Sequence, residues 1–407
     1  MHKIFICTLA VAAIVMFSGC HWGNRFRAFT DDDDNGVNVS TMEVDNGDDY
    51  IKVKYAGDIV FTDDETAIKS ISPGGCVKYW KNGRRFIAES NKSGLITYKL
   101  YDGNANISIN DAKGKKFAAV VLNDLINLGF DAKGRVDRLY KKGGATAVLN
   151  EIDVLKNQYT KSTYYEHLLN TKYLTPAEMN NVAISIGQTL DGAYEKSQLL
   201  GKFADYYMGN ALASNTYLDA VNTINADYEK SGTLQTIVKQ PLNKDQLGQV
   251  IAIAGTINGD YEKAQVLKAI ISKAGLVTEN CDKLLDVAAT VGGDYEKAGI
   301  LTELVQNDSL SDESFGRLLF VTGHIGGDYE KAGVLTKITE QSITEPDQWV
   351  SLIKATAGIN AAYEKSNTMV AIAHKMPKDQ RVRAAYMDAA KTISSDYEYS
   401  QAVKATE

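Results

Sequence analysis

The chain has 407 residues, 44% of them hydrophobic and 23% charged. It is too long for one ordinary core and is composed like a globular protein rather than a disordered one. Its formal charge of -7 would become -8 once Lys3 left with a 19-residue leader. Lys113, Lys115 and Lys116 are too small a cluster to offset that charge, which argues against nucleic acid as the primary partner, because phosphate binding needs a basic stripe.

The first twenty residues read MHKIFICTLAVAAIVMFSGC. One early cation precedes an apolar run from Ile4 to Phe17, shorter than the ~20 residues of a membrane span and sized like the core of a signal peptide. The ending FSGC resembles the bacterial lipobox, although Phe17 stands where Leu is usual. That resemblance implies a leader at 1–19, cleavage before Cys20 and lipidation of its thiol, hence membrane attachment. His21, in place of the Asp that retains such proteins at the inner membrane, points to the outer membrane, facing the periplasm. A plain secretory leader and an uncleaved anchor are the alternatives. Cys7 leaves with the leader. Cys76 and Cys281 stand far apart in different expected domains, so no disulfide is expected between them. No pair has metal-ligand spacing, and no metal or cofactor is expected.

Residues 20–47 are acidic and rich in turn formers, and are expected to be a solvated tether. The stretch DDDDNG begins like a calcium loop at Asp31, Asp33, Asn35 and Gly36. Its twelfth place holds Met42, and Glu43 comes one residue late, so a spacer is the better reading. Residues 48–112 alternate apolar and polar side chains between turn signals such as ISPGG and KNGRR, which predicts an antiparallel meander of five or six strands. Asp63, Asp64 and Glu65 have no cationic partner at a telling spacing and read as a solvated loop. Residues 113–153 turn helical, with a break at Gly143 and Gly144.

From 154 to 407 a repeat takes over. Tyr-Glu-Lys begins at Tyr194, Tyr228, Tyr261, Tyr295, Tyr329 and Tyr363 and returns as Tyr-Glu-Tyr at Tyr397, with every spacing 33 or 34. A degenerate copy, NQYTKS, places Tyr159 thirty-five residues before Tyr194. Each copy decodes as two amphipathic helices. One starts at the signature, with Glu262, Glu296 and Glu330 in first turns where the helix dipole favours negative charge. The other includes Phe315, Leu318, Leu319, Val321 and Ile325. Four of the five prolines, Pro176, Pro241, Pro346 and Pro377, fall between the helices of a copy. Such helices bury their apolar faces only by stacking, so the expected fold is mostly α: an α-solenoid of about seven to eight ~34-residue helix pairs behind a small antiparallel β-rich module. The signature tyrosines are assigned to packing between copies and the lysines to solvent. The period equals that of tetratricopeptide repeats, but their Trp, Leu-Gly and closing Pro are missing, so the likeness to TPR and HEAT arrays is architectural. From about residue 50 the chain resembles bacterial secreted or lipid-anchored proteins that carry an FTDDET…SISPGG segment ahead of SDYEKA-type helical repeats. That resemblance implies no activity.

No HExxH, GxSxG or phosphate-binding glycine loop occurs. Ser351 and Lys354 match SxxK without its companion motifs. His167, His324 and His374 fall in different copies, and His324 reads as a variant turn residue. The expectation is therefore a non-enzymatic, lipid-anchored scaffold whose solenoid holds a protein partner. The alternative is an envelope glycan or peptidoglycan bound by the tyrosine and lysine row. A second alternative is an enzyme with a dispersed active site. Aromatic positions that vary between copies (Tyr206, Tyr207, Tyr217, Trp349 and Tyr386) are the candidates for a partner surface.

Overall fold

The computed structural model describes residues 25–407 apart from 33–37, 46–48, 274–277, 308–309 and 342. The expected leader and Cys20 lie outside the described residues. The chain divides into two compact units, the first ending at Thr171 and the second spanning Lys172–Glu407.

Alternating side chains build the strands of the first unit. These are β1 (Arg25–Asp32), β2 (Asn38–Asp45), β3 (Tyr50–Ala56), β4 (Ile59–Phe61), β5 (Ile68–Ile71), β6 (Cys76–Lys81), β7 (Arg84–Ser90), β8 (Ile96–Asp102) and β9 (Ala105–Ile107). β4 and β5 form a separate hairpin, and the others make one antiparallel sheet in the order β1-β2-β3-β6-β7-β8-β9. Asn82 (φ 50°) and Gly83 (φ 73°) form the two-residue turn between β6 and β7, where both central residues need positive φ. Val53, Val77, Tyr79, Phe86, Ala88 and Leu100 are buried on one sheet face. Helix α1 (Ala112–Asn127) covers it: Phe117 meets the Tyr79 ring edge-on, and the Tyr79 hydroxyl donates to Asp124 at 2.5 Å.

The expected tether is replaced by β1 and β2. Val39 and Thr41 alternate into a buried row, and Glu43 sits opposite Lys52 across the strand pair, its carboxylate 2.8 Å from the ammonium. A cross-strand cation thus accounts for acidity that reads as solvation in one dimension. Asp31 and Met42, two places of the weighed calcium loop, lie in paired strands, and its centre lies outside the described residues.

Helix α2 (Ala132–Val154) bends at Gly143 and Gly144, as the sequence predicts, and α3 (Gln158–Thr171) follows. Glu65 departs from the expected solvated loop. It holds both Arg135 Nε and Nη2, at 2.5 and 2.8 Å, while Arg135 Nη1 reaches Glu151 at 2.9 Å and donates to the Tyr164 hydroxyl at 2.8 Å. This buried guanidinium ties the loop after β4 to α2 and α3. The degenerate copy at Tyr159 therefore belongs with the first unit, and the array proper starts after Thr171 rather than at 154.

The second unit contains seven helix pairs among its described residues. The signature helices are α5 (Ala193–Lys202), α8 (Asp227–Val238), α10 (Asp260–Ile271), α12 (Asp294–Asn307), α14 (Asp328–Ile338), α16 (Ala362–Ala373) and α18 (Asp396–Lys404). Their partners are α4 (Pro176–Thr189), α7 (Ser214–Asn222), α9 (Lys244–Gly255), α11 (Cys281–Ala289), α13 (Asp312–Gly323), α15 (Pro346–Thr356) and α17 (Gln380–Ala390), with a short α6 (Ala204–Met208) in the second copy. Signature helices pack on signature helices and partners on partners, which gives the two layers of an α-solenoid. Pro176 and Pro346 occupy the first turn of α4 and α15, and Thr175 and Glu178 complete a capping box. No helix among the described residues is long and apolar enough to cross a membrane.

Candidate binding face

The signature divides into joint-forming residues and one exposed residue. The Asp before the tyrosine reaches into the next copy. Asp260 accepts the N–H groups of Gly292 and Gly293 at 3.0 and 2.8 Å, Asp294 those of Gly326 and Gly327 at 2.9 and 2.8 Å, and Asp328 those of Asn360 and Ala361 at 3.0 and 2.8 Å. Asp227 does the same for Asn258 and Gly259. These donors lead into the next signature helix, where backbone N–H groups have no helical acceptor. The N–H groups hold the Asp294 and Asp328 carboxyls below the ordinary value, the Gly326 and Asn360 bonds respectively having the largest effect. The glutamate folds back over its own N-cap. At Gly259, Gly293 and Gly327 the carboxylate of Glu262, Glu296 or Glu330 takes the place a Cβ would occupy, whereas other copies carry Ala226, Ala361 or Ser395 at that position.

The lysine reverses its expected place. Lys196, Lys230, Lys263, Lys297, Lys331 and Lys365 are 4–7% exposed. Lys196, Lys230 and Lys263 donate to Thr223, Thr256 and Thr290 at 2.8, 3.0 and 3.0 Å. These threonines are the C-caps of the next copy's partner helix, the end where a cation is favoured. Burial holds the Lys196, Lys230 and Lys365 ammonium groups below their ordinary value. In the copy that Lys297 would reach, the C-cap is His324, whose Nδ1 lies 2.8 Å from the Phe320 carbonyl.

The tyrosines reverse the other way. Tyr159, Tyr194, Tyr228, Tyr261, Tyr295, Tyr329, Tyr363 and Tyr397 are 43–78% exposed, and so do not seat one copy on the next. That task falls to residues expected on a partner surface. Tyr207, Tyr217, Tyr386 and Trp349 are buried, and their polar atoms donate to the carbonyls of Met179, Leu200, Ala402 and Ile343. Of that group only Tyr206 is exposed.

The exposed rings frame a groove of about 670 Å³, lined by Tyr194, Tyr228 and Tyr261 from three successive copies with Gln198, Gln235 and Gln265 between them and Lys202, Glu229 and Glu262 beside them. One turn beyond each tyrosine the helix carries a small or neutral polar residue: Gln198, Gly232, Gln265, Gly299, Gly333, Asn367 and Gln401. The rings thus stand over amides and glycines flanked by charged side chains, on helices that pack about 8–10 Å apart. Such a face offers amide hydrogen bonds and ring faces to a ligand with a repeating unit.

The remaining expected groups do not converge. Ser351 and Lys354 are both exposed on α15, with Ser351 Oγ donating to the Asp347 carbonyl. His167 faces Asp137 at 3.2 Å within the first unit, and His374 is the C-cap of α16. Comparison with protein-family models, curated proteins and solved structures returned no match.

Proposed function

We infer that the second unit is a non-catalytic binding module that lays an extended envelope glycan along its tyrosine row. The protein as a whole would be attached through a lipid on Cys20 and face the periplasm. The observation that carries the reading is the exposed, evenly repeated tyrosine with glutamine, asparagine or glycine one turn beyond it. Sugar rings stack on aromatic faces, and their hydroxyls exchange hydrogen bonds with amides. A polymer of like sugars meets like sites at each copy, and linked weak contacts multiply into useful affinity.

The test is sedimentation of the purified protein with insoluble peptidoglycan, followed by titration with soluble glycan fragments. Tyr295→Ala and Tyr329→Ala should each weaken binding about two- to tenfold, the range for one aromatic contact, with the circular dichroism spectrum unchanged. Full binding by the double variant would reject the glycan reading. A crosslinked protein partner lost in the same double variant would transfer the face to the scaffold reading. Cys20→Ala should abolish palmitate incorporation, and unchanged mass and membrane retention would reject the anchor.

A further inference from the structure

The first unit has a surface that the tyrosine row does not involve. The sheet face turned away from α1 carries, on its four central strands, Lys52 and Lys54 of β3, Lys78 of β6, Arg85 of β7 and Lys99 of β8. Glu89 is the one carboxylate among them, 3.6 Å from Lys78 and 3.8 Å from Lys99. Glu43 and Asp45 of β2 lie at the margin, Glu43 paired with Lys52. In a chain of net charge -7 this local excess of cations is pronounced.

Aromatic rings are threaded through the same face. In the cross-strand row Lys52–Trp80–Arg85–Tyr101, the Arg85 guanidinium lies over the Tyr101 ring at 4.2 Å, and Arg85 Nε is buried without an acceptor. Tyr50, Trp80 and Arg85 line a recess of about 250 Å³ at the turn between β6 and β7. Amphipathic rings beside long cationic side chains suit the boundary between water and acyl chains, where the rings sit at headgroup depth and the cations reach phosphates.

Position along the chain selects the occupant. The edge strand β1 begins at Arg25, five residues after Cys20, a reach of at most about 18 Å. We propose that this sheet face docks on an anionic bilayer surface, with phosphate headgroups taken by Lys78, Arg85 and Lys99 and the Trp80 ring at the interface. The nearness argument rests on the lipid-anchor reading, whereas the charge and ring pattern does not.

The experiment uses the processed chain, residues 20–407, with Cys20→Ser, so that every described residue is kept and no acyl chain contributes. Cosedimentation with phosphatidylcholine vesicles containing phosphatidylglycerol should exceed that with phosphatidylcholine alone and fall as salt rises. Each cation near such a surface contributes about fivefold, so Lys78→Gln with Lys99→Gln should weaken binding about thirtyfold. Glu89→Gln should tighten it about fivefold, a gain that misfolding cannot produce. In a Trp22→Phe background, brominated acyl chains should quench Trp80 while buried Trp349 serves as the unquenched reference. Equal binding to neutral and anionic vesicles, or retention on dextran sulfate with no vesicle binding, would overturn the proposal. Failure of the anchor reading shows separately, in the mass of the lipidated protein.

Discussion

Replacing Asp294 by alanine isolates the joint between two copies. Its carboxylate accepts two backbone N–H groups, from Gly326 and Gly327, at 2.9 and 2.8 Å. Gly326 is exposed and Gly327 half-buried, so water can replace part of what is lost. Removing a side-chain acceptor at a helix start costs about 0.5–2 kcal/mol, and charged acceptors lie toward the upper end. The expected loss is about 1–2 kcal/mol, placed at the α12–α14 interface because repeat stability is a sum of nearest-neighbour terms. The N–H groups hold the Asp294 carboxyl below its unfolded value of 3.8, the Gly326 bond first. Its contribution is therefore fully present above about pH 5 and is lost as pH falls through the folded-state value. Urea unfolding followed by Trp349 fluorescence should show a wild-type-to-variant gap that is constant from pH 5 to 7 and closes below pH 4. Tyr295→Ala, one residue away but exposed, should stay within about 0.5 kcal/mol of wild type. If Asp294→Ala costs no more than Tyr295→Ala, or if the gap widens in acid, the joint is not built as described.

Five further substitutions probe the same logic. Ala362 occupies the Asp position of its copy, and Ala362→Asp should supply a clamp for the N–H groups of Ser394 and Ser395, raising stability by about 0.5–1 kcal/mol in the same urea assay. Lys263→Met keeps the aliphatic stem, and Thr290 keeps its bond to the Val287 carbonyl, so the cost should be about 0.5–1.5 kcal/mol; Lys263→Glu should cost more than 3 kcal/mol by burying an unpaired charge. Arg135→Met strands Glu65 and Glu151 against each other and should destabilise the first unit by about 3–5 kcal/mol in thermal unfolding, whereas Glu65→Gln, which keeps an acceptor, should cost less.

The repeat architecture was legible because period, proline positions and apolar spacing each point to paired helices. The chemistry of the joints was not, because each joint links residues 26 to 33 apart whose pairing exists only once copies stack. The same holds for the first unit: Lys52, Lys78, Arg85 and Lys99 are scattered in the sequence and become one cationic face only through strand register. Likewise Glu65 meets Arg135 seventy residues away, a pairing that no local spacing could reveal. The exchange of tyrosine and lysine is written in the helical phase. At about 100° per residue, the unambiguous core positions Val266, Leu267, Ile270 and Ile271 define a stripe whose centre lies about 10° from Lys263 and about 150° from Tyr261. Residue type argued the other way, and helical phase was the stronger guide.

That exchange changes what the repeated octamer GGDYEKAG means. Its glutamate folds back over its own helix start, its aspartate clamps the next copy, and its lysine ends on the neighbouring helix. These contacts account for the joint with no help from the ring between them. A tyrosine that is half or more exposed in nearly every copy gains little from folding, since leaving it in water forgoes the burial that makes aromatic residues valuable in a core. Packing, clamping and capping are already assigned to other residues, including the buried Tyr207, Tyr217 and Tyr386 that do seat helices. The signature tyrosine is thus the member of the motif to which these contacts assign no part in the joint, and the proposed glycan, repeating in step with the helices, would supply a reason for its repetition.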